Sequence, residues 1–133
     1  MYRYVQKSFT QAASKRSEAF KSRLTAWRKQ KTVQRAAKPT NPLRARALGY
    51  KAKKGFAIVR VKVKRGKRVR RSPVMGRKPG KNRKRENPGK SWQWFAEQKA
   101  WRGHRNMEII NSYWVGDDGS HSYYEVILRE LNG

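Results

Sequence analysis

"FAIVRVKVKR", residues 56–65, sets Ala57, Val59, Val61 and Val63 against Arg60, Lys62 and Lys64. Successive side chains of an extended chain point to opposite faces, so this spacing predicts a strand with one apolar face and one cationic comb. Within the wider stretch "GYKAKKGFAIVRVKVKRGKRVRR", Gly49 to Arg71, the strand then dissolves into a run of cations. A fold built on it needs an apolar layer under one face and an anionic partner for the charge.

The rest of the chain makes the same demand. Its 133 residues suit one domain, but only 36% are apolar against 32% charged, so a compact core can occupy only part of the length. Thirty-five Lys and Arg face eight Asp and Glu, a formal charge of +27. Self-repulsion of that size disfavours compaction unless a polyanion neutralises it. The charge is also segregated: residues 1–90 carry 31 basic and two acidic side chains, residues 91–133 four basic and six acidic. The sequence has no cysteine, which removes disulfides and thiolate metal sites and fits a reducing compartment. No run of about 18 apolar residues is present for a membrane span, and "MYRYVQK" has no signal-peptide apolar stretch. A cytoplasmic protein with no membrane partner is expected.

Periodicity supplies the other elements. Tyr2, Val5, Phe9 and Ala12 or Ala13 recur at helical spacing, and Phe20, Leu24 and Trp27 form one stripe through Glu18–Lys31 with Lys21, Arg23, Arg28 and Lys29 on its flanks. Such a stripe reads as core-facing. "NPLRARAL" makes a short helix with Asn41 as N-cap and Pro42 at the first helical position, ended by Gly49. Residues 66–90, with four glycines, three prolines and little to bury, predict a loop that orders only against something anionic. Ser91 caps a helix carrying Trp94, Phe95 and Trp101 that stops near Gly103. Met107–Val115 and Tyr123–Arg129 read as strands joined by "GDDGSH". The expected fold is α+β: a small three-stranded antiparallel sheet packed with helices, with long basic extensions. One domain, 1–133, divides into a basic helical region (1–48), a first strand (49–65), the basic loop (66–90) and a helix with a β-hairpin (91–133).

Titratable clusters offer little chemistry. Asp117, Asp118, His121 and Glu125 form the best set for a metal-dependent nuclease, but nearness in sequence does not supply the convergent geometry that phosphodiester cleavage needs, and acidic hairpin tips are common. His104 reads as a helix-capping or RNA-contacting side chain. "GRKPGKNRK" resembles a phosphate-binding loop only in composition, lacking the strand-to-helix context. No catalytic residue, metal ligand, cofactor or small-molecule substrate is assigned. The basic segments point to nucleic acid, since Lys and Arg neutralise phosphates and release counterions. An irregular Gly- and Pro-broken extension suits the crevices of folded RNA better than a regular duplex groove. A free-standing nucleic-acid compactor is the alternative that charge alone supports.

Two long stretches carry a resemblance: "KPTNPLRARALGYKAKKGFAIVRVKVKRGKRVRR" (Lys38–Arg71) and "INSYWVGDDGSHSYYEVIL" (Ile110–Leu128). With "YRYVQKSF" and "AWRKQ", they resemble the large-subunit ribosomal protein fifteen family of archaea and eukaryotes over nearly the whole chain. The resemblance implies a non-catalytic component of the cytoplasmic large ribosomal subunit, held among rRNA helices and neighbouring ribosomal proteins. Carried over by motif, the expected rRNA contacts are Arg44, Arg46, Tyr50, Lys51, Lys53, Lys54, Arg60, Lys62, Lys64, Arg65, Lys67, Arg68, Arg70 and Arg71. Arg77, Lys78, Lys81, Arg83, Lys84 and Arg85 join them from the loop, where the match is one of character. Trp114, Val115, Tyr124, Val126 and Leu128 are expected to be structural, while Asn111, Ser112 and Tyr113 suit either packing or contacts. Family members continue past the "EVIL" strand with a further basic extension, whereas this sequence ends at "RELNG", so contacts from such an extension are not expected of it.

Overall fold

The computed structural model describes residues 2–81 and 83–131. Helices α1 (Tyr2–Ser14) and α2 (Glu18–Lys29) lead into strand β1 (Val33–Ala36), helix α3 (Pro42–Ala47) and strand β2 (Phe56–Lys64). The short strands β3 (Arg68–Val69) and β4 (Arg85–Glu86) precede helix α4 (Trp92–Gly103), and β5 (Met107–Asp117) and β6 (His121–Glu130) follow it. The main sheet is antiparallel with order β1-β2-β6-β5, so it has four strands where three were expected. The fold class is α+β as read from sequence. The added strand, "VQRA", pairs from Val33↔Val61 to Ala36↔Ile58 along the free edge of β2. Four residues hold too little alternation to announce a strand; the exposed ladder of β2 recruits them.

The period-2 pattern of the central strands divides the core in two. Ala57, Val59, Val61 and Val63 of β2 join Val126 and Leu128 of β6 under Ala96 and Ala100 of α4. Those two alanines, wholly buried, let the helix lie close on the sheet. On the opposite face Ile58, Tyr123 and Ile127 meet Phe20, Leu24 and Trp27 of α2 and Ala45 of α3. Burying side chains of that size contributes about 1.5–3 kcal/mol each, which fixes α2 on the sheet despite its basic flanks. Ser17 accepts from the Phe20 N–H and Ser91 from the Trp94 N–H, capping α2 and α4. Asn41 does the same for α3 through the Arg44 N–H, with Pro42 in the first turn.

Two backbone details aim the side chains. Gly49, with φ +103, ends α3 in the left-handed region that β-carbon-bearing residues avoid. Strand β5 has a register shift between Ile109 and Asn111. Strict alternation from Met107 and Ile109 would put Tyr113 on the α4 side; the extra residue flips the phase and delivers it to the α2 side. There it lies opposite Glu125.

Candidate nucleic-acid interface

Two of the three cations of the β2 comb, Arg60 and Lys62, turn to α2 instead of open surface. Arg60 lies on the α2 side, its guanidinium 4.4 Å from the Trp27 ring centre and 3.0 Å from Glu125 Oε1. Glu125 is wholly buried and also accepts from the Tyr113 hydroxyl and from the backbone N–H and hydroxyl of Thr40. Burial, then the neighbouring Glu125 charge, pushes the Tyr113 phenol far above its ordinary value and keeps it a donor. Lys62 donates to the carbonyls of Arg28 and Gln30 at the end of α2, where a cation also meets the negative end of the helix dipole. Arg65 binds Asp117 and the Asp118 carbonyl and lies over the Trp92 ring. Of the comb, Lys64 alone is exposed. Arg60, expected among the rRNA contacts, lies beneath α2, and Glu125 matches its charge from within.

The remaining expected contacts lie outward. Arg44, Arg46, Lys51, Lys53 and Lys54 are exposed on α3 and the turn after it, while Tyr50 is half-buried, edge-on to Phe56. Lys67, Arg68, Arg71, Arg77, Lys78, Lys81, Arg83, Lys84 and Arg85 are exposed along the loop, and Arg70 is paired with Glu86 at 3.4 Å. The loop leaves the sheet as a two-stranded ladder, Arg68↔Glu86 and Val69↔Arg85, and Met75 and Lys81 have positive φ. Six ion pairs form among the described residues. With only eight acids in the chain, no internal arrangement can neutralise the excess of +27.

The structure also gathers cations that no sequence pattern groups. A cleft of about 540 Å³ is lined by Arg35, Lys53, Lys54, His104 and Asn106, with Glu130 at one side. Arg35 comes from the unannounced strand β1 and His104 from the C-cap of α4, where its Nδ1 donates to the Ala100 carbonyl. Only the packing of β1 and α4 around the sheet makes these residues neighbours. Trp114, expected to be structural, is 41% exposed, whereas Val115, Val126 and Leu128 are fully buried.

The acidic hairpin tip is structural in its geometry. Asp118 accepts from Arg28, from the backbone N–H groups of Ser120 and His121, and from the Tyr123 hydroxyl. Burial by itself would raise its carboxyl; the Arg28 guanidinium and the N–H donors outweigh that and hold it well below the usual carboxylate range. Burial and the Asp118 charge in turn push the Tyr123 phenol up to about 12. Glu125 points into the core beside Tyr113, away from the tip, and no group of three or more His, Asp and Glu converges among the described residues. Among those residues no helix is long and apolar enough to cross a membrane.

A protein-family model, Ribosomal L15, matches residues 1–132. The chain belongs to the Ribosomal L15 family. Within it, the chain is similar to a protein of Nanoarchaeum equitans (strain Kin4-M) named "Large ribosomal subunit protein eL15". The two are 42% identical over 128 residues, 96% of this chain and 67% of the relative. Membership in the Ribosomal L15 family gives the outward cations a context: a small folded platform with its basic excess concentrated in residues 1–90.

Proposed function

We propose that the protein is a structural constituent of the large ribosomal subunit that binds folded rRNA by charge neutralisation and shape fitting. The observation that supports this reading most strongly is the division of the cations. Arg28, Arg60, Arg65 and Arg129 are paired with Asp118, Glu125, Asp117 and Glu108, while among the described residues the cations of α3, the following turn and the loop have a single acidic partner between them, Glu86. Charges left unmatched on a single domain await a polyanion, and phosphate contacts then set its position and orientation. Neighbouring large-subunit proteins meet what the RNA leaves uncovered. The exposed set from Arg44 to Lys54 and from Lys67 to Arg85, joined by Arg35 and His104 of the cleft, is the proposed rRNA surface. Arg60 acts as a positioning residue beneath it, since its partner Glu125 also holds Thr40 at the entry to α3. The role is non-catalytic and cytoplasmic.

Crosslinking in cells with sequencing of the bound RNA tests this reading. Reads focused on a few discrete large-subunit rRNA segments are expected, together with co-sedimentation with large subunits through moderate-salt washes. Reads spread over many RNAs or over DNA would overturn the ribosomal assignment and favour a general compactor.

A further inference from the structure

Resting on that reading, we infer that the groove between α1, α3 and β5 is a pocket for a single unstacked nucleobase of the bound RNA, with Trp114 as its stacking platform. The cavity there measures about 520 Å³, within the range of small-molecule pockets. Trp114 forms one wall, Phe9 and Ala13 of α1 another, and Arg44 of α3 also lines it. No acidic side chain lines the cavity.

Three observations favour a base over other occupants. The first is the state of the indole. Three tryptophans are about 40% exposed, Trp94, Trp101 and Trp114. Lys90 lies over Trp94 at 5.8 Å and Arg105 over Trp101 at 5.7 Å, whereas no cation lies over Trp114 among the described residues. Its ring is left to a ligand, and every nucleobase offers a π-face to such a platform. The second is the polar edge. Gln93 donates to the Ser112 carbonyl and hydroxyl, and Gln6 accepts from Asn41. That leaves the Gln93 Oε1 acceptor and the Gln6 amide donors without protein partners among the described residues, and one acceptor with one donor set matches the hydrogen-bonding edge of a base. The third is charge. The α1 and α3 walls belong to the strongly basic residues 1–90, and Arg44 is exposed beside the pocket, suited to the phosphate of the inserted nucleotide.

The test compares Trp114→Ala and Trp114→Phe in the full chain, titrated against a short mixed-sequence single-stranded RNA and a duplex RNA of equal charge. Trp114→Ala is expected to weaken single-strand binding about 5- to 100-fold and leave duplex binding unchanged, the span that loss of one stacked base implies. Trp114→Phe should restore most of it. Equal weakening for both RNAs overturns the pocket, because it marks a structural role. Unchanged single-strand binding overturns it too; if neutralising the loop cations still lowers affinity, the wider RNA-binding reading survives. A parent protein that binds neither RNA overturns both. In the unmutated chain, a 4-thiouridine single strand should crosslink to peptides containing Trp114 or Phe9; adducts confined to the loop count against the pocket even if Trp114→Ala fails to fold.

Discussion

The sheet and the basic loop carry the same kind of side chain and treat it in opposite ways. On β2, Arg60 is nearly enclosed, stacked on Trp27 and paired with a carboxylate that water does not reach. On residues 66–90, cation follows cation with Glu86 as the one acidic residue, and the main-chain pairing is two residues long. The difference is the supply of acids. Six of the eight lie in residues 91–133, and four of those are ion-paired to cations of the helix and strands. Charge that meets these acids becomes part of the fold; charge beyond their number is left for a partner. The C-terminal hairpin thus decides which arginines are architecture.

The sharpest way to break that comparison is to remove the acid from the sheet. Glu125→Leu leaves Arg60 buried without a counter-charge and strips Tyr113 and Thr40 of their acceptor, so a loss of about 3–5 kcal/mol in urea unfolding is expected. A loss below about 1 kcal/mol would show that Arg60 escapes to water and that the sheet cations are no more committed than those of the loop. Adding Arg60→Met to Glu125→Leu should recover much of the loss, because a matched apolar pair can replace a buried ion pair. Leu24→Ala, which cuts the stripe of α2, should cost about 2–5 kcal/mol by the same measurement.

How much of this was legible follows from the kind of signal involved. The stripe Phe20, Leu24 and Trp27, the Asn41-Pro42 start and the Ser91 cap are local and periodic, and each names its helix from residues close in sequence. The alternation of β2 likewise gave the two faces correctly. It could not say what covers the second face, so Arg60 looked free until α2 was laid over it. Strand β1 is not announced because its pairing partners lie 22 to 28 residues away and its own four residues hold no pattern. The phase of Tyr113 and Trp114 depends on a bulge that the residues around Ile110 do not announce, and the resemblance that implied a structural part for Trp114 carries no information on its exposure. The cleft of Arg35, Lys53 and His104 joins three separate segments, and no spacing rule groups them. Local codes reached the elements, while the covering of one element by another stayed beyond them.

A smaller effect separates the hairpin tip from the surface charges by pH. Asp118 has its folded pKa depressed, so its stabilisation is present above the ordinary carboxylate value of about 4 and is lost as pH falls through the folded value. Asp118→Asn should cost about 1–3 kcal/mol near neutral pH, the scale of hydrogen bonds to a charged group. The gap between parent and variant should close progressively below about pH 4. A gap that stays constant down to strongly acidic pH would mean that Arg28 and the hairpin N–H groups hold Asp118 no more tightly when it is charged.

The smallest expected change in stability comes from the region with the most charge. Replacing Arg77, Lys78, Lys81, Arg83, Lys84 and Arg85 by glutamine should move the unfolding free energy by no more than about 0.5 kcal/mol, because these exposed side chains carry no packing. Slight stabilisation is the more informative sign, since fewer like charges would repel one another. The same variant should lose RNA affinity steeply, and the slope of log affinity against log salt should shrink by about 0.7 to 0.9 for each phosphate contact removed. The pairing of those two results carries the argument: cations that leave stability untouched while setting the salt slope are held for a partner. A loop variant that unfolds early would instead place these residues inside the fold's own energetics, and the division between sheet and loop would fail where the charge is densest.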